Sequence, residues 1–205
     1  MARRPRLPDL VAQLPKTRAA IEYGEERHAG QRRSFTRGTF MEHPLEVGLL
    51  LYEAGARDHV IAAGVLHDTL EKTEAGPAEL RRRFGAPVAR LVVAVSEDEQ
   101  ISGYTQRKAA LRQQVAIAGP EALMIFAADK VSKVRELRLA IGRLMRRDLQ
   151  PTRSLLRPRR VAHYRRCLGM LEELSAESVL VDQLRAELAR LEAVLAGVRT
   201  ASAVA

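Results

Sequence analysis

A single cysteine, Cys167, stands in the chain, so no internal disulfide can form and packing alone must hold the fold. A lone cysteine fits a reducing interior better than secretion. No uninterrupted run of about 18 apolar residues occurs, and the start, MARRPRLPDLVAQLPK, lacks the apolar central block of a signal peptide. A soluble, cytoplasmic protein with no membrane partner is the expectation. Aromatics are scarce: four tyrosines, four phenylalanines and no tryptophan. Basic residues interleaved with base-stacking aromatics are missing, as is zinc-finger spacing, so the chain carries no specific nucleic-acid motif. The alternation of apolar and polar residues that marks half-buried strands is nearly absent, which argues against a sheet-based fold.

Positive charge is in excess. The 34 lysines and arginines against 25 acids give a formal net charge of +9, which favours anionic partners: nucleotides, nucleic acid or acidic lipid. An arginine-rich composition produces the same field with no partner at all. Helical periodicity dominates the 205 residues, a length that buries a core without staples. The pattern predicts an all-α fold with helices at 15–29, 44–55, 57–72, 77–84, 86–97, 105–118, 120–147, 158–175 and 177–198. Pro44 suits a first helical turn and Gly55 a left-handed cap, while Pro77 and Pro120 mark further starts. The loop GQRRSFTRGTFMEH can hold an anion or simply connect, and PTRSLLRPRR carries the prolines of a turn. Residues 1–176 form one helical unit. Residues 177–205 add a helix whose leucine spacing, in LVDQLRAELARLEAVLAGV, gives it one packed face, and a tail, RTASAVA, expected to fray.

In VIAAGVLHDTLEKT, an apolar run from Val60 to Leu66 ends in His67 and Asp68, with Glu71 and Lys72 just beyond. A helix apolar on every side is buried, and charges at its end need partners, because an isolated buried ion costs several kcal/mol. A metal ion meets that need when further ligands arrive from other elements. His43, just before Pro44, and Asp129, which interrupts an apolar run in ALMIFAADKVSKV, stand where they can supply them. Two imidazoles and two carboxylates suit Mn²⁺, Fe²⁺ or Zn²⁺. Such an ion acidifies bound water and withdraws charge from a phosphoryl group. Each residue also has a plain structural reading. A lone buried histidine is more often a hydrogen-bonded core residue, and Asp129 has Lys130, Lys133 and Arg135 within reach. Glu71 lies four residues after His67 and three after Asp68, so on a continuing helix it faces the same way and can act as general base on metal-bound water. A salt bridge to Lys72 or Arg82 is the alternative.

Taken in order, His43, the His67–Asp68 pair and Asp129 resemble the H…HD…D pattern of the HD-domain phosphohydrolases. Within that superfamily the chain is similar, over residues 17–172, to the hydrolase domain of RelA/SpoT-type alarmone enzymes and their small stand-alone relatives. The segments HAGQRR, EHPLEVGLLLYEAGA, AAGVLHDTLEKTEAGPAELRRRFGAPVARLV and AADKVSKVREL carry the likeness. The resemblance implies an HD-domain helical bundle that removes pyrophosphate from the 3′ position of guanosine tetra- and pentaphosphate with Mn²⁺. It implies His43, His67, Asp68 and Asp129 as metal ligands, and Glu71, the first acid of an HDxxED pattern, as the group that activates water. Arg32 and Arg33 match a basic pair that approaches the substrate, and Tyr164 matches an aromatic residue of the nucleotide pocket. Nothing in 177–205 resembles the alarmone-synthetase domain, so hydrolysis rather than synthesis is implied.

The chain also departs from the family pattern. Lys72 stands where those hydrolases have a second acid; its ammonium either disables water activation or joins the catalytic set as a phosphate-binding cation. Lys133 replaces the usual Asn of LADRLxNxR at a substrate contact, and in the basic loop Ser34 replaces a Lys and Phe40 a Tyr. These changes are expected to touch the substrate contacts and spare the metal set. Three functions follow as candidates: alarmone 3′-pyrophosphohydrolase, HD hydrolase of another nucleotide or phosphoester, and non-catalytic nucleotide-binding regulatory module.

Overall fold

A computed structural model describes residues 6–33, 38–147, 149, 151, 152 and 154–204. A short α1 (Leu7–Leu10) and a 3₁₀ turn (Val11–Gln13) precede α2 (Pro15–Arg27), α3 (Glu42–Glu53), α4 (Asp58–Leu66) and α5 (Thr69–Lys72). There follow α6 (Pro77–Phe84), α7 (Ala86–Val95), α8 (Tyr104–Ala118), α9 (Pro120–Met145), α10 (Pro158–Ser175) and α11 (Val179–Val204). Among the described residues the one β feature is an isolated antiparallel bridge between Arg32 and Thr39. The expected all-α fold is the fold found.

Local chemistry explains most boundaries. Pro15, Pro77, Pro87, Pro120 and Pro158 occupy the first two positions of their helices, where a missing N–H breaks no hydrogen bond. Gly85 and Gly119, at φ +86° and +94°, are the single-residue joints between α6 and α7 and between α8 and α9, a conformation that glycine takes without strain. The start of α2 is capped from a neighbouring helix. Asp58, the first residue of α4, accepts hydrogen bonds from the Lys16 and Thr17 N–H groups at 3.0 and 2.9 Å and from the Thr17 hydroxyl at 2.7 Å. Two otherwise orphaned donors are thereby satisfied, and α2 is fixed against α4.

Two helices organise the interior. Every residue of α4 from Val60 to Leu66 is buried, and the helix is packed by α2, α3, α7 and α9. The long α9 touches α3, α4, α7, α8, α10 and α11. Helices α3 and α4 approach closely because a side chain is missing at their contact. A Cβ on Gly64 would lie 2.3 Å from Leu51 Cδ1. Among the described residues, no helix is long and apolar enough to cross a membrane.

The structure corrects four expectations. Residues 7–13, outside every expected helix, form a helical turn with Leu7 and Val11 buried, and α1 packs on α3; the segment is too short to show a period. The helix expected at 57–72 is two helices, with a break at His67 and Asp68. Helix α3 begins at Glu42, so His43 and Pro44 both lie inside its first turn, where N–H groups have no intrahelical carbonyl to reach and proline is tolerated. Helix α11 continues to Val204, through most of the segment expected to fray. Ser34, the loop substitution, lies outside the described residues.

Candidate active site

The break in the buried helix creates the centre of the site. Ending α4 at Leu66 frees the carbonyls of its last turn, and His67 Nδ1 donates to the Gly64 carbonyl at 2.7 Å. The His67 hydrogen is thus held on Nδ1, and Nε2 presents a lone pair inward. Asp68 is the N-cap residue of α5, but its carboxylate makes no capping hydrogen bond and turns to the same point.

His43 arrives from the first turn of α3 and is oriented in the same way. Ser132 donates its hydroxyl to Glu46 Oε2 at 2.7 Å, so its oxygen accepts from His43 Nδ1 at 2.9 Å. His43 Nε2 is left open and lies 3.1 Å from His67 Nε2. Asp129 of α9 completes the group, with Oδ1 3.1 Å from His43 Nε2 and 3.4 Å from His67 Nε2. That buried oxygen is also met by the Lys133 ammonium, at 2.9 Å. Ligand atoms of His43, His67 and Asp129 all lie within 4.8 Å of one another. Asp68 sits at the edge of the group, 3.3 Å from His67 Nε2 and 3.7 Å from His43 Nε2.

Two imidazole lone pairs and two carboxylates facing one buried point repel each other unless a positive charge lies between them. The donor set therefore fits a divalent ion that accepts nitrogen and oxygen. Proton affinities show the same demand. Burial pushes the His43 imidazole down; at His67 burial acts likewise, but Asp68 and Asp129 outweigh it and push it up. Burial would also raise both carboxyls. His67 and Lys133 instead hold Asp68 well below the usual carboxylate range, and Lys130 and Lys133 do the same for Asp129.

Lys133 takes up the pairing with Asp129 that its position allowed, but it does not spare the expected metal set. Its Nζ lies 2.9 Å from Asp129 Oδ1 and 3.8 Å from Asp68 Oδ1, so this departure reaches the carboxylates of the expected metal set as well as the cleft. The cause is helical spacing: residue 133 stands one turn after Asp129 on the same face of α9. Lys130 pairs with the other Asp129 oxygen and packs over the Phe126 ring. Arg135, the third cation considered for Asp129, points instead to Glu46 and Glu187.

The centre opens into a cleft of about 410 Å³ whose walls include Arg33, Glu71, Lys72, Lys133 and Tyr164 together with His43 and Asp68. Arg33 is partly committed there, ion-paired to Glu136 at 2.9 Å. Arg32 is exposed and does not line this cleft. Tyr164 is buried, and burial pushes its hydroxyl up. Glu71 accepts a hydrogen bond from the Glu97 backbone N–H at 2.7 Å, which fixes it at the rim; neither Lys72 nor Arg82 is the partner in that bond. Sequence reasoning missed Lys108, Arg160 and Glu97 in the same wall, and Ser132 and Glu46 behind His43. Ser132 and Glu46 each follow an expected ligand by three residues, a spacing that could have signalled them. For Glu97, Lys108 and Arg160 the sequence holds no comparable sign.

A model of the HD domain matches residues 20–150, which hold all four expected ligands.

The chain belongs to the HD-domain family.

A human protein named guanosine-3′,5′-bis(diphosphate) 3′-pyrophosphohydrolase MESH1 is 36% identical over 121 residues, covering 58% of this HD-domain chain and 67% of that protein. A GTP pyrophosphokinase of Streptomyces coelicolor is 31% identical over 189 residues, covering 88% of this chain. The match takes in 22% of that longer relative, so this chain spans about a fifth of it. A solved structure of a metazoan ortholog of SpoT that hydrolyzes ppGpp superposes with a TM-score of 0.70, covering 87% of this chain and 96% of that one. At 22% identity that likeness is one of fold. The crystal structure of lmo0812 from Listeria monocytogenes EGD-e gives 0.64 at 25% identity, covering 76% of this chain and 99% of that one.

Proposed function

We propose that this HD-domain protein hydrolyses the 3′-diphosphate of a guanosine polyphosphate, of the guanosine tetraphosphate type, releasing pyrophosphate. The observation that carries the reading is the convergence of His43 Nε2, His67 Nε2 and Asp129 Oδ1 on one buried point at the floor of a cation-lined cleft. The relatives named as 3′-pyrophosphohydrolases support the choice of substrate. His43, His67, Asp68 and Asp129 would hold the divalent ion; the set suits Mn²⁺, Fe²⁺ or Zn²⁺, and Mn²⁺ is proposed from the resemblance to the RelA/SpoT-type hydrolases. When bound, the ion supplies an acidified water and polarises a phosphoryl oxygen.

The chain's own residues do the rest. Glu71, held by the Glu97 N–H, takes the proton of the attacking water. Arg33, Lys108 and Arg160, all in the cleft wall, hold the phosphates against their charge repulsion. Tyr164 closes the wall where the nucleoside lies. One water is consumed for each pyrophosphate released. The site predicts Mn²⁺-stimulated pyrophosphate release from guanosine tetraphosphate by the purified protein, abolished in His67→Ala with helical content unchanged by circular dichroism. Activity that survives His67→Ala rejects the site, and no product after Mn²⁺ reconstitution rejects the reaction.

A second reading, nucleotide binding without turnover, draws on Lys133. An ammonium 2.9 Å from Asp129 Oδ1 competes with a metal ion for that oxygen. Tight binding of guanosine tetraphosphate with no product under any divalent ion would select this reading over the first.

A further inference from the structure

The buried face of α11 is apolar at Leu180, Val181, Leu184, Leu188 and Leu191, yet Glu187 lies in the same face with 4% of its surface exposed. A carboxylate there is costlier than a leucine unless its charge is answered. Three guanidinium groups answer it: Arg138 Nε at 2.8 Å, Arg135 Nε at 3.2 Å and Arg190 Nη1 at 3.2 Å. Burial opposes the charge on Glu187, but Arg138 and Arg135 outweigh it and hold the carboxyl below its ordinary value.

Arg135 does more than pair with Glu187. Its Nη1 donates to Glu46 Oε1 at 2.7 Å. Glu46, through its other oxygen, accepts the Ser132 hydroxyl at 2.7 Å, and Ser132 receives the His43 Nδ1 hydrogen at 2.9 Å. Every link joins facing positions on packed helices: Ser132 and Arg135 are one turn apart on α9, and His43 and Glu46 one turn apart on α3. The path therefore runs without a gap from α11, beyond the residues matched by the HD-domain model, to a nitrogen of the candidate centre.

We propose that Glu187, Arg135 and Glu46 are positioning residues through which α11 sets the tautomer of His43. Glu46, locked by Arg135, can only accept. Ser132 must then donate to it, and His43 must keep its hydrogen on Nδ1, leaving Nε2 open. Without Glu187, Arg135 loses the partner that fixes its guanidinium and can swing off Glu46; Glu46 can then turn away, which frees Ser132 to donate to Nδ1 and moves the hydrogen to Nε2, where it blocks a ligand. The tautomer claim stands on hydrogen bonds in the chain itself, while its consequence for metal binding rests on the function proposed above.

The test uses the full chain labelled with ¹⁵N-histidine. In the metal-free protein, long-range ¹H–¹⁵N spectra are expected to show His43 with its hydrogen on Nδ1. Glu187→Gln and Glu46→Gln should both shift it toward Nε2, and the Mn²⁺ dissociation constant should rise roughly tenfold or more, as for groups that orient a metal-binding histidine. Arg138→Gln is the control, because it breaks an equal contact between α9 and α11 but touches no other member of the path. An unchanged His43 spectrum in Glu187→Gln, or an equal shift in Arg138→Gln, overturns the proposal. Should Glu187→Gln fail to fold, Arg135→Gln reports on the same link. Wild-type protein that takes up no Mn²⁺ would sink the metal-binding role of His43 while leaving the tautomer result to be read alone.

Discussion

At the floor of the cleft, His43, His67, Asp68 and Asp129 are all buried, come from α3, α9 and the break after α4, and meet polar partners at fixed distances. At its rim, Lys72 is exposed and Glu71 is held by one backbone N–H. Floor positions belong to the core as much as to the chemistry, so a change there disturbs packing and charge together. Rim positions answer to the ligand alone, and it is there that Lys72 departs from the family pattern. Lys133 belongs to both regions: it lines the cleft and touches the floor carboxylates. On the proposed function, the departure at Lys133 bears on metal retention, whereas the departure at Lys72 bears on turnover.

That division can be broken by experiment, and the largest effect is expected at the rim. Glu71→Gln keeps the shape and removes the base, so kcat should fall by about 10²- to 10⁴-fold while the Mn²⁺ dissociation constant stays constant. A large loss of Mn²⁺ affinity in this variant would make Glu71 part of the floor. A smaller effect, about tenfold, is expected from Lys72→Asp, which restores a second acid beside Glu71 and should raise kcat. A fall in kcat accompanied by a higher KM would instead make Lys72 a phosphate-holding cation.

The smallest effect sharpens the contrast on a third surface, α10, which sends Tyr164 into the cleft and His163 into the protein. His163 is buried beside Lys130, Lys108 and Arg112, and burial, followed by those cations, pushes its pKa down to about 2. In the unfolded chain the same imidazole takes up a proton below about pH 6.5. The unfolded state therefore binds more protons throughout that window, and stability falls as the pH falls, by at most about 1.4 kcal/mol per pH unit from this group. Urea unfolding from about pH 6 to about pH 5 should show a shallower loss in His163→Gln than in the wild type. Parallel curves would mean that His163 gains its proton without unfolding. This group acts on stability alone, unlike the floor histidines, whose nitrogens face carboxylates.

Much of this was legible in residue order. The apolar run from Val60 to Leu66 announced a buried helix, and the charges after it announced a centre that needs partners from elsewhere. His43 and Asp129 could be picked out because each interrupts apolar surroundings at a helix start or in a helix interior. The break at His67–Asp68 was not legible, since the residues after it continue a helical pattern. It arises from tertiary demands: the His67 ring closes on the Gly64 carbonyl and Asp68 turns inward. The supporting network was only partly legible: Glu46 and Ser132 each follow an expected ligand by three residues, but only the packing of α3 against α9 makes Glu46 and Arg135 neighbours.

Gly64 joins these two scales. Its missing side chain lets α3 and α4 close to their observed spacing, and its carbonyl holds the ring of His67, while His43 rides on α3. The distance between the two imidazole nitrogens is therefore gauged by an atom that is not there. A single added methyl would press first on the end of the Leu51 side chain, and where that chain does not give it would act as a shim between the helix that carries His43 and the one that ends at His67.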